Sequence, residues 1–482
     1  MKKYFKAIFL FSIIVVSSSC NKWLDLEPEN DLIRQEFWQK KADVDAVVAA
    51  MYDAFRETSL ESLIWGELRA DMVLFTGTEF ADYLRIAFGD ITSTNGKINW
   101  KEYYGAINLA NTIMEFSGDV IDLDKAFTPP IKEAYDAEAL FIRSMCYFYL
   151  VRLWKEVPLI LSAASSDTVD IYKPKSTESQ ILNQLVTDLK YAETIAYSKE
   201  NEWSAELFKG RANVYSIQTL LADIYLWMEK YNECIEYCDK VIKSGNYFLL
   251  NQNNWFQLYY PGNSRESIFE IQYNDAYVSE ENPIYNYMLP VSGGRRVITT
   301  PALSDLFVPA DIRQCGNNNV TWKYLGKSNT SSTSKRDLSE RDANFIYYRY
   351  ADILLMKAEA LAETGNFGDA KILLNDIVLR AGLPTVNLPN SLSDYRQFIL
   401  EERAREFALE GKRWFDVLRF AKKNNFENKY IIINILLERA TDVKERPIFE
   451  ARVRDTMSYY LPIPEGDLTY NQSLEQNPFY NR

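Results

Sequence analysis

The residue with the most distinctive chemistry in this sequence is Cys20, which follows basic, apolar and then small residues. An apolar run covers Ala7–Val16, lysines precede it, and Ser17–Ser19 follow it. This order is typical of an export signal, and a cysteine thiol directly after it can accept acyl chains. We therefore predict that residues 1–19 are a lipoprotein signal peptide and that Cys20 is lipidated. The alternative is an ordinary export signal followed by a chance cysteine.

Catalytic chemistry is restricted by the absence of histidine from the chain. Triads that use histidine and most zinc hydrolase sites are excluded. The 67 acidic residues always allow a glycosidase-like carboxylate pair to be imagined, but no motif isolates one, and no EF-hand spacing is present. The sequence therefore predicts a protein that is not an enzyme and has no cofactor; it identifies no metal site, and it leaves a bound calcium ion open. The remaining cysteines are expected to be small buried side chains, and they are Cys146, Cys234, Cys238 and Cys315.

The charge and composition limit the partners of the protein. The formal net charge is −13, and removal of the three lysines within residues 1–19 brings the remainder to about −16, which argues against nucleic acid as a partner. After residue 19 no apolar segment reaches membrane-spanning length, so a lipid on Cys20 is the predicted anchor. Aromatic residues make up 14% of the chain, with 32 tyrosines, and this surplus requires a role.

Helical periodicity dominates the chain, and one spacing of residues occurs twice. The intervals 3, 9, 4 and 3 separate small and large residues in both segments, as in a tetratricopeptide helix pair, where small residues let two helices approach closely. The two sets are Ala222, Tyr225, Cys234, Cys238 and Val241, and Ala358, Leu361, Ala370, Leu374 and Ile377. Further helices are predicted over 37–56, 100–116, 131–155, 178–197 and 392–422. The sequence therefore predicts a mostly α fold built on tetratricopeptide-like helical pairs, with long irregular loops and few short strands.

Between the two pairs lies a region rich in proline and polar residues, with a candidate strand at 267–273. We predict one compact mature body with an N-terminal helical region at 20–250. The C-terminal region covers 251–482 and includes a loop excursion at 251–345. Within the predicted helix 392–422, Glu401 lies four residues before Arg405, and Lys412 four before Asp416, so this charged run is expected to be a solvated, self-paired face.

Six segments, in order along the chain, carry a resemblance to a known family. They are CNKWLDLEPE after the signal, RSMCYFYLVRLWKEVPLI at 143–160, YYRYADILLMKAEALAETGN at 347–366, ILLNDIVLRAGLP at 372–384, EERAREFALEGKRWFDVLRF at 401–420, and YYLPIPEGDL with NQSLEQNPFY near the end. Together they resemble the SusD/RagB family of outer-membrane nutrient-binding lipoproteins of the Bacteroidetes.

The resemblance implies a SusD-like fold and a binding function. Family members lie on the cell surface over a SusC-type TonB-dependent transporter, bind oligosaccharides or in some members peptides, and are not catalysts. The implied partners are therefore a SusC-like TonB-dependent transporter, a glycan, and the outer membrane through the lipid anchor, with the protein facing the cell exterior. The shared segments are scaffold residues, so they do not identify the ligand.

The candidate ligand site lies in the loops that least resemble the family. Sugar rings have apolar faces and a rim of hydroxyls, so they favour aromatic side chains for stacking and a few polar groups. Segments 60–95 and 273–300 offer both. The predicted ligand-binding residues are Trp65, Tyr83, Tyr285, Tyr287 and Arg295, with Trp322 and Tyr324 as a third location. At each aromatic position the alternative is a ring that belongs to the core.

Three functions remain open at this stage. The first is capture of a nutrient glycan and its delivery to the transporter, with a peptide as the alternative ligand. The second is a two-carboxylate glycosidase, and the third is a repeat scaffold that binds only proteins. The lipid signal and the long aromatic loops favour the first over the third, and no motif isolates the carboxylate pair that the second requires.

Overall fold

The computed structural model is mostly helical. It describes residues 37–75, 81–164, 171–198, 204–276, 281–288, 290–291, 294–295, 297–314, 322–328, 335–337, 339–439 and 446–481. Among these residues, none of the helices combines the length and the apolar composition needed to cross a bilayer.

The helices before the excursion include all those predicted from the periodicity, most of whose ends agree to within a few residues, whereas the helix expected over 37–56 runs on to Leu63. They are α1 (Lys41–Leu63), α2 (Ala81–Ala87), α3 (Lys101–Phe116), α4 (Val120–Leu123), α5 (Pro129–Trp154), α6 (Glu178–Ile195), α7 (Ala205–Gly210), α8 (Val214–Trp227) and α9 (Tyr231–Ser244). Several begin or end at residues suited to caps. Thr177 and Gln180 form a capping box at the start of α6, and Gly245 ends α9 with a left-handed backbone.

The helices of the second half include the second predicted pair. They are α10 (Pro283–Met288), α11 (Pro301–Ser304), α12 (Trp322–Leu325), α13 (Tyr350–Glu363), α14 (Phe367–Arg380), α15 (Leu392–Glu406), α16 (Arg413–Phe426), α17 (Tyr430–Arg439), α18 (Arg446–Val453) and α19 (Glu465–Tyr470). The predicted helix over 392–422 is wrong as a single element. The chain leaves α15 and turns through Gly411, whose φ of +73° favours glycine, before α16 begins.

Both predicted helical pairs are confirmed. Helix α8 packs against α9 and α13 against α14, and α9 packs against α13, so the two pairs stack on each other. The small residues of the repeat lie where the helices meet, because Ala222, Cys234, Ala358 and Ala370 are all fully buried. The predicted burial of Cys146, Cys234 and Cys238 is confirmed, whereas Cys315 lies outside the described residues.

Strands are short and occur as separate pairs in the described part of the chain. They are β1 (Val73–Phe75), β2 (Val157–Pro158), β3 (Lys175–Ser176), β4 (Ser267–Ile271), β5 (Pro290–Val291), β6 (Gly294–Arg295), β7 (Val297–Thr299) and β8 (Phe345–Arg349). The pairs β1–β7, β2–β3, β4–β8 and β5–β6 are antiparallel. The predicted strand within 267–273 is therefore confirmed as β4.

The core is organised around α5, whose residues from Ala137 to Trp154 are all buried. A helix that is buried on every side needs neighbours on every side, and α5 packs against α1, α3 and α6. The C-terminal segment closes one end of this arrangement, because Trp154 donates its indole N–H to the carbonyl of Pro462 at 2.8 Å.

The charged run at 401–420 is not the solvated face that the sequence predicts. Lys412 pairs with Asp352 at 2.6 Å rather than with Asp416, and Asp416 is buried against Arg403 and Arg419. Only Glu401 keeps the expected exposure, at 4.0 Å from Arg405. The physical reason is that partners from α13 and β8, far away in sequence, supply opposite charges to this run.

Candidate functional site

The two segments that the sequence selects as ligand-binding loops meet in the structure. Strand β1 of the first segment pairs with β7 of the second, with Val73 opposite Thr299 and Phe75 opposite Val297. The pairing is extended by the backbone N–H of Thr300, which donates to the carbonyl of Met72 at 2.9 Å. The pairing of these two strands, more than 200 residues apart in the chain, brings the aromatic residues of both segments together.

Three aromatic rings form a cluster beside this strand pair, and we call Phe75, Tyr83 and Tyr287 the aromatic cluster. The rings of Phe75 and Tyr83 stack with centroids 4.5 Å apart and planes at 13°. Tyr287 meets both edge-on, at 5.6 Å from Phe75 and 6.2 Å from Tyr83. The two tyrosine hydroxyls lie 3.3 Å apart. Tyr83 is buried, whereas Tyr287 is half-buried and is the more accessible ring of the cluster.

A basic side chain from the loop that follows α2 lies beside the aromatic cluster. The ammonium of Lys97 lies 4.9 Å from the centroid of the Tyr83 ring, a cation–π arrangement. Asp82 holds this loop in place, because its carboxylate accepts from the Gly96 N–H at 3.1 Å and its carbonyl accepts from the Asn95 amide at 3.1 Å. Arg85 is exposed on the same helix. A sugar at this face would meet aromatic carbon and hydrogen-bonding groups together.

The electrostatics near the cluster are set by Glu61 at the end of α1. Burial raises the pKa of the Glu61 carboxyl to about 7, although the Asn99 amide donates to it at 3.1 Å. Burial also raises the pKa of Tyr83, and the Tyr287 hydroxyl partly opposes that shift. The Tyr83 hydroxyl is therefore a neutral hydrogen-bonding group at physiological pH.

Trp65 is not an exposed ring in the structure, which corrects the expectation from the sequence. It lies in a π-helical turn, Ile64–Leu68, that continues α1, and it is 1% exposed. The adjacent Gly66 packs so tightly that a Cβ there would lie 1.9 Å from the carbonyl oxygen of Gly411. Trp65 therefore belongs to the contact between α1 and the turn before α16, and it has no ring face open to a ligand.

Tyr285 is also buried, at 1% exposure, and it lies on α10 rather than in a loop. Its hydroxyl donates to the carbonyl of Asp337 at 3.1 Å, so it fixes α10 to the chain before β8. Arg295 lies in strand β6, but its side chain is outside the described residues, as is that of Trp322. Tyr324 is buried and donates to the Leu409 carbonyl at 2.8 Å.

The residues of the second predicted segment, 273–300, lie at two separate locations. Its first residues, Tyr273 and Asn274, line a separate groove along α1, while Tyr287 joins the aromatic cluster. Lys97, which completes the cluster, is missed by the sequence reading because an isolated lysine in a polar loop carries no pattern. The sequence therefore identifies the two segments, but it does not identify which of their rings are accessible.

Comparison with known proteins gives one consistent result for the whole chain. The SusD family matches residues 225–480, and a family described as starch-binding and associating with the outer membrane matches residues 22–226. A SusD-like protein, P38, of Formosa agariphila is 26% identical, with 88% of this chain and 93% of that protein covered. The starch-binding protein SusD of Bacteroides thetaiotaomicron is 30% identical over 39% of this chain and 29% of its own length.

Solved structures share the fold. A crystal structure of a SusD superfamily protein from Bacteroides thetaiotaomicron has a TM-score of 0.74 and 21% identity, with 92% of this chain and 99% of that chain covered. A laminarin-binding SusD-like protein has a TM-score of 0.70 and 21% identity, with 92% and 100% covered. At this level of identity the structural likeness shows the fold alone.

Proposed function

The chain belongs to the SusD family of glycan-binding proteins, and from that membership we propose that it captures an oligosaccharide at the cell surface. The captured glycan passes to a SusC-type TonB-dependent transporter in the outer membrane. The observation that carries this proposal is the match of the SusD family to residues 225–480, together with a starch-binding family over residues 22–226.

The proposed ligand face is the aromatic cluster and the polar groups around it. The accessible part of Tyr287 offers an apolar surface for a sugar ring, and Lys97 and Arg85 offer donors to hydroxyl oxygens. Trp65 and Tyr285 are each 1% exposed, so they are not proposed as ligand contacts. Arg295, in strand β6 of the same segment, is proposed as an additional donor.

The proposed attachment to the outer membrane is a lipid on Cys20. The support is the sequence order at the N-terminus and the family description, which includes association with the outer membrane. Replacement of Cys20 by Ser is expected to release the protein from the membrane fraction, and mass spectrometry of the native N-terminus is expected to find the acyl chains. An unmodified N-terminus after Ser19 would contradict the proposed anchor.

The proposed binding protein does not cleave its ligand. Its nearest competing role, a two-carboxylate glycosidase, would shorten a bound chain. The experiment is a screen of purified protein against laminarin, starch and other polysaccharides in affinity gels, with the polymer length measured before and after. Retention without shortening supports the proposal. Shortening of any polymer contradicts it, and retention of peptides alone would move the protein to the peptide-binding branch of the family.

A further inference from the structure

A groove separate from the aromatic cluster runs along α1. It has a volume of about 1300 Å³, and its walls come from α1, the start of α5, the end of α7 and the residues that follow β4. Pockets for single small molecules hold roughly 300–1,000 Å³, so this groove is large enough for an oligomer. None of its described lining residues belongs to the aromatic cluster.

One wall of the groove is a rigid set of tyrosines and an arginine. The Tyr52 hydroxyl donates to Glu138 at 2.7 Å and accepts from the Ala212 N–H at 2.8 Å. Arg211 makes two bonds to the same carboxylate, at 2.8 and 2.7 Å, and its guanidinium lies 5.3 Å from the Tyr135 ring. Because these side chains already have partners, their positions are set before any ligand arrives.

Another part of the groove is a cluster of side-chain amides. Asn263 and Gln272 exchange two hydrogen bonds of 2.9 Å, and Asn344 donates to Gln272 at 3.1 Å. Helix α7 approaches this cluster so closely that a Cβ at Gly210 would lie 2.6 Å from Cγ of Gln272. An amide has both donors and acceptors, so lone pairs and N–H groups remain for the hydroxyls of a ligand.

The charges of the groove exclude a polyanion. Its basic side chains are Lys41, Arg56 and Arg211, and each is paired with a carboxylate of this chain. Carboxylates outnumber them two to one in the lining, and Glu57 and Asp275 are exposed. A sulfated or uronic-acid chain would be repelled, whereas a chain of neutral sugars would find tyrosine, amide and carboxylate groups that suit its hydroxyls.

From these features we infer that the groove along α1 is a second binding site, for a neutral oligosaccharide. It is independent of the face proposed above, because the two sites share no described lining residue. The protein then holds a glycan chain at two places. Once a long chain is bound at one site, its other part is held at a high effective concentration near the second site, so the apparent affinity for long chains exceeds that for short ones.

The test fills the groove without disturbing the core. Ala49 is exposed on α1 and lines the groove, so Ala49→Trp places a large side chain in it. The matched control is Ala42→Trp, an exposed position on the same helix outside the lining. Both variants and Tyr287→Ala are titrated by calorimetry with neutral gluco-oligosaccharides of increasing length, of the laminarin and starch series, and folding is checked by circular dichroism.

The expected result is two binding events in the native protein. Ala49→Trp removes one of these events, and with it an affinity for long chains that is at least about tenfold higher than that for short chains. Tyr287→Ala weakens the other event. Ala42→Trp changes neither event. Hydrogen exchange in α1 slows on binding in the native protein and not in Ala49→Trp.

The inference is overturned if Ala49→Trp binds every neutral chain as Ala42→Trp does, or if no neutral chain protects α1. It is also overturned if the groove instead retains cationic peptides with an affinity that falls as salt is added, since screening weakens charge attraction but leaves neutral ligands unaffected. If Tyr287→Ala binds every chain as the native protein does while Ala49→Trp loses one binding event, the proposed ligand face is contradicted and the groove site is left intact.

Discussion

A buried cluster of ion pairs around Arg349 at the end of β8, which we call the junction, differs from the groove along α1 in the role of its charges. Both contain arginine and glutamate. At the junction, Arg349 pairs with Glu266 at 2.8 Å, with Glu406 at 2.5 Å and with Glu410 at 3.0 Å, and all four side chains are essentially unexposed. In the groove, Glu57 is exposed and Arg211 is only partly covered. The charged side chains that stabilise the scaffold are therefore fully buried, whereas those that can contact a ligand are at least partly exposed.

The junction also explains the spacing of the acidic residues in α15 and the turn that follows. Glu402, Glu406 and Glu410 are four residues apart, and Arg313 bonds to the first two at 2.6 and 2.9 Å. Neighbouring arginines hold the pKa of Glu406 well below its usual range despite burial. The charged residues of the family-like segment 401–420 therefore stabilise the fold, and we expect the ligand contacts to lie outside this segment.

The largest expected effect comes from breaking the junction. Arg349→Met leaves buried carboxylates without their main counter-charge, and removal of one partner from a buried ion pair costs about 3–5 kcal/mol. Urea denaturation is expected to report a loss of that size in the free energy of unfolding. A loss no larger than for an exposed arginine would show that the junction contributes little to stability.

The junction and the buried Glu359 of α13 both predict a loss of stability in acid. Burial opposes ionisation of Glu410, but Arg349 and Lys323 lower its pKa to about 2, and Arg419 and Lys423 do the same for Glu359. A carboxyl whose pKa is depressed on folding stabilises the protein above its unfolded pKa, near 4.5, and loses that contribution as the pH falls towards 2. The loss is on the order of 3 kcal/mol for each group, and in denaturation at stepped pH Arg349→Met is expected to have a weaker acid dependence.

Glu67 predicts the opposite dependence on pH. Burial raises its pKa to about 8, although the N–H groups of Gly411 and Lys412 donate to one of its oxygens. A carboxyl with a raised pKa reduces stability as the pH rises from about 4.5 through 8. Glu67→Gln does not titrate, so it is expected to be more stable than the native protein above pH 8 by about 1–3 kcal/mol. The two proteins should have equal pH dependence if Glu67 is in fact ionised at little cost.

At the aromatic cluster the expected effect is on binding rather than folding. Tyr287→Ala removes the accessible ring and is expected to weaken glycan binding about tenfold, or about 1.4 kcal/mol, with a small change in stability. Trp65→Ala is the contrasting variant, since its ring is buried, and it is expected to lower the free energy of unfolding by about 3–5 kcal/mol. If the two variants weaken glycan binding equally when the same fraction of each protein is folded, Tyr287 does not contact the ligand more directly than the buried Trp65 does.

The smallest effect is expected at the surface. Arg454 and Glu450 form an i, i+4 pair whose side chains are 61% and 36% exposed. Arg454→Met is therefore expected to change the free energy of unfolding by less than about 0.5 kcal/mol. It is the matched control for Arg349→Met, and a large loss in both would indicate an effect of arginine content rather than of burial.

The helical scaffold is predictable from the sequence because its information is local. The spacing from Ala222 to Val241 and from Ala358 to Ile377 encodes the close approach of two helices, and both pairs form as expected. The charged run beginning at Glu401 could not be interpreted in the same way, since several of its partners, such as Asp352 and Arg349, come from distant segments. Whether Lys412 faces Asp416 or Asp352 depends on the packing of α13, which no local pattern contains.

For the candidate ligand site, the sequence predicts which segments contribute but not which of their side chains are accessible. The aromatic surplus in 60–95 and 273–300 leads to the aromatic cluster, yet the turn that contains Trp65 packs through Gly66 against Gly411, which is 345 residues further along the chain. The groove is harder still, because Tyr52, Tyr135, Arg211 and Gln272 come from separate elements. Each is an unremarkable residue in its own segment, and only the fold brings them together.

We propose that this protein captures a glycan through the aromatic cluster, in which Tyr287 is the most accessible ring. The most direct test is calorimetric titration of the native protein, Tyr287→Ala and Tyr191→Ala with the polysaccharide that the affinity screen retains. Tyr191 is a solitary exposed tyrosine on α6. We predict tight binding by the native protein and Tyr191→Ala and about tenfold weaker binding by Tyr287→Ala, with the polymer intact. Equal binding by all three proteins would contradict the account, as would any shortening of the polymer.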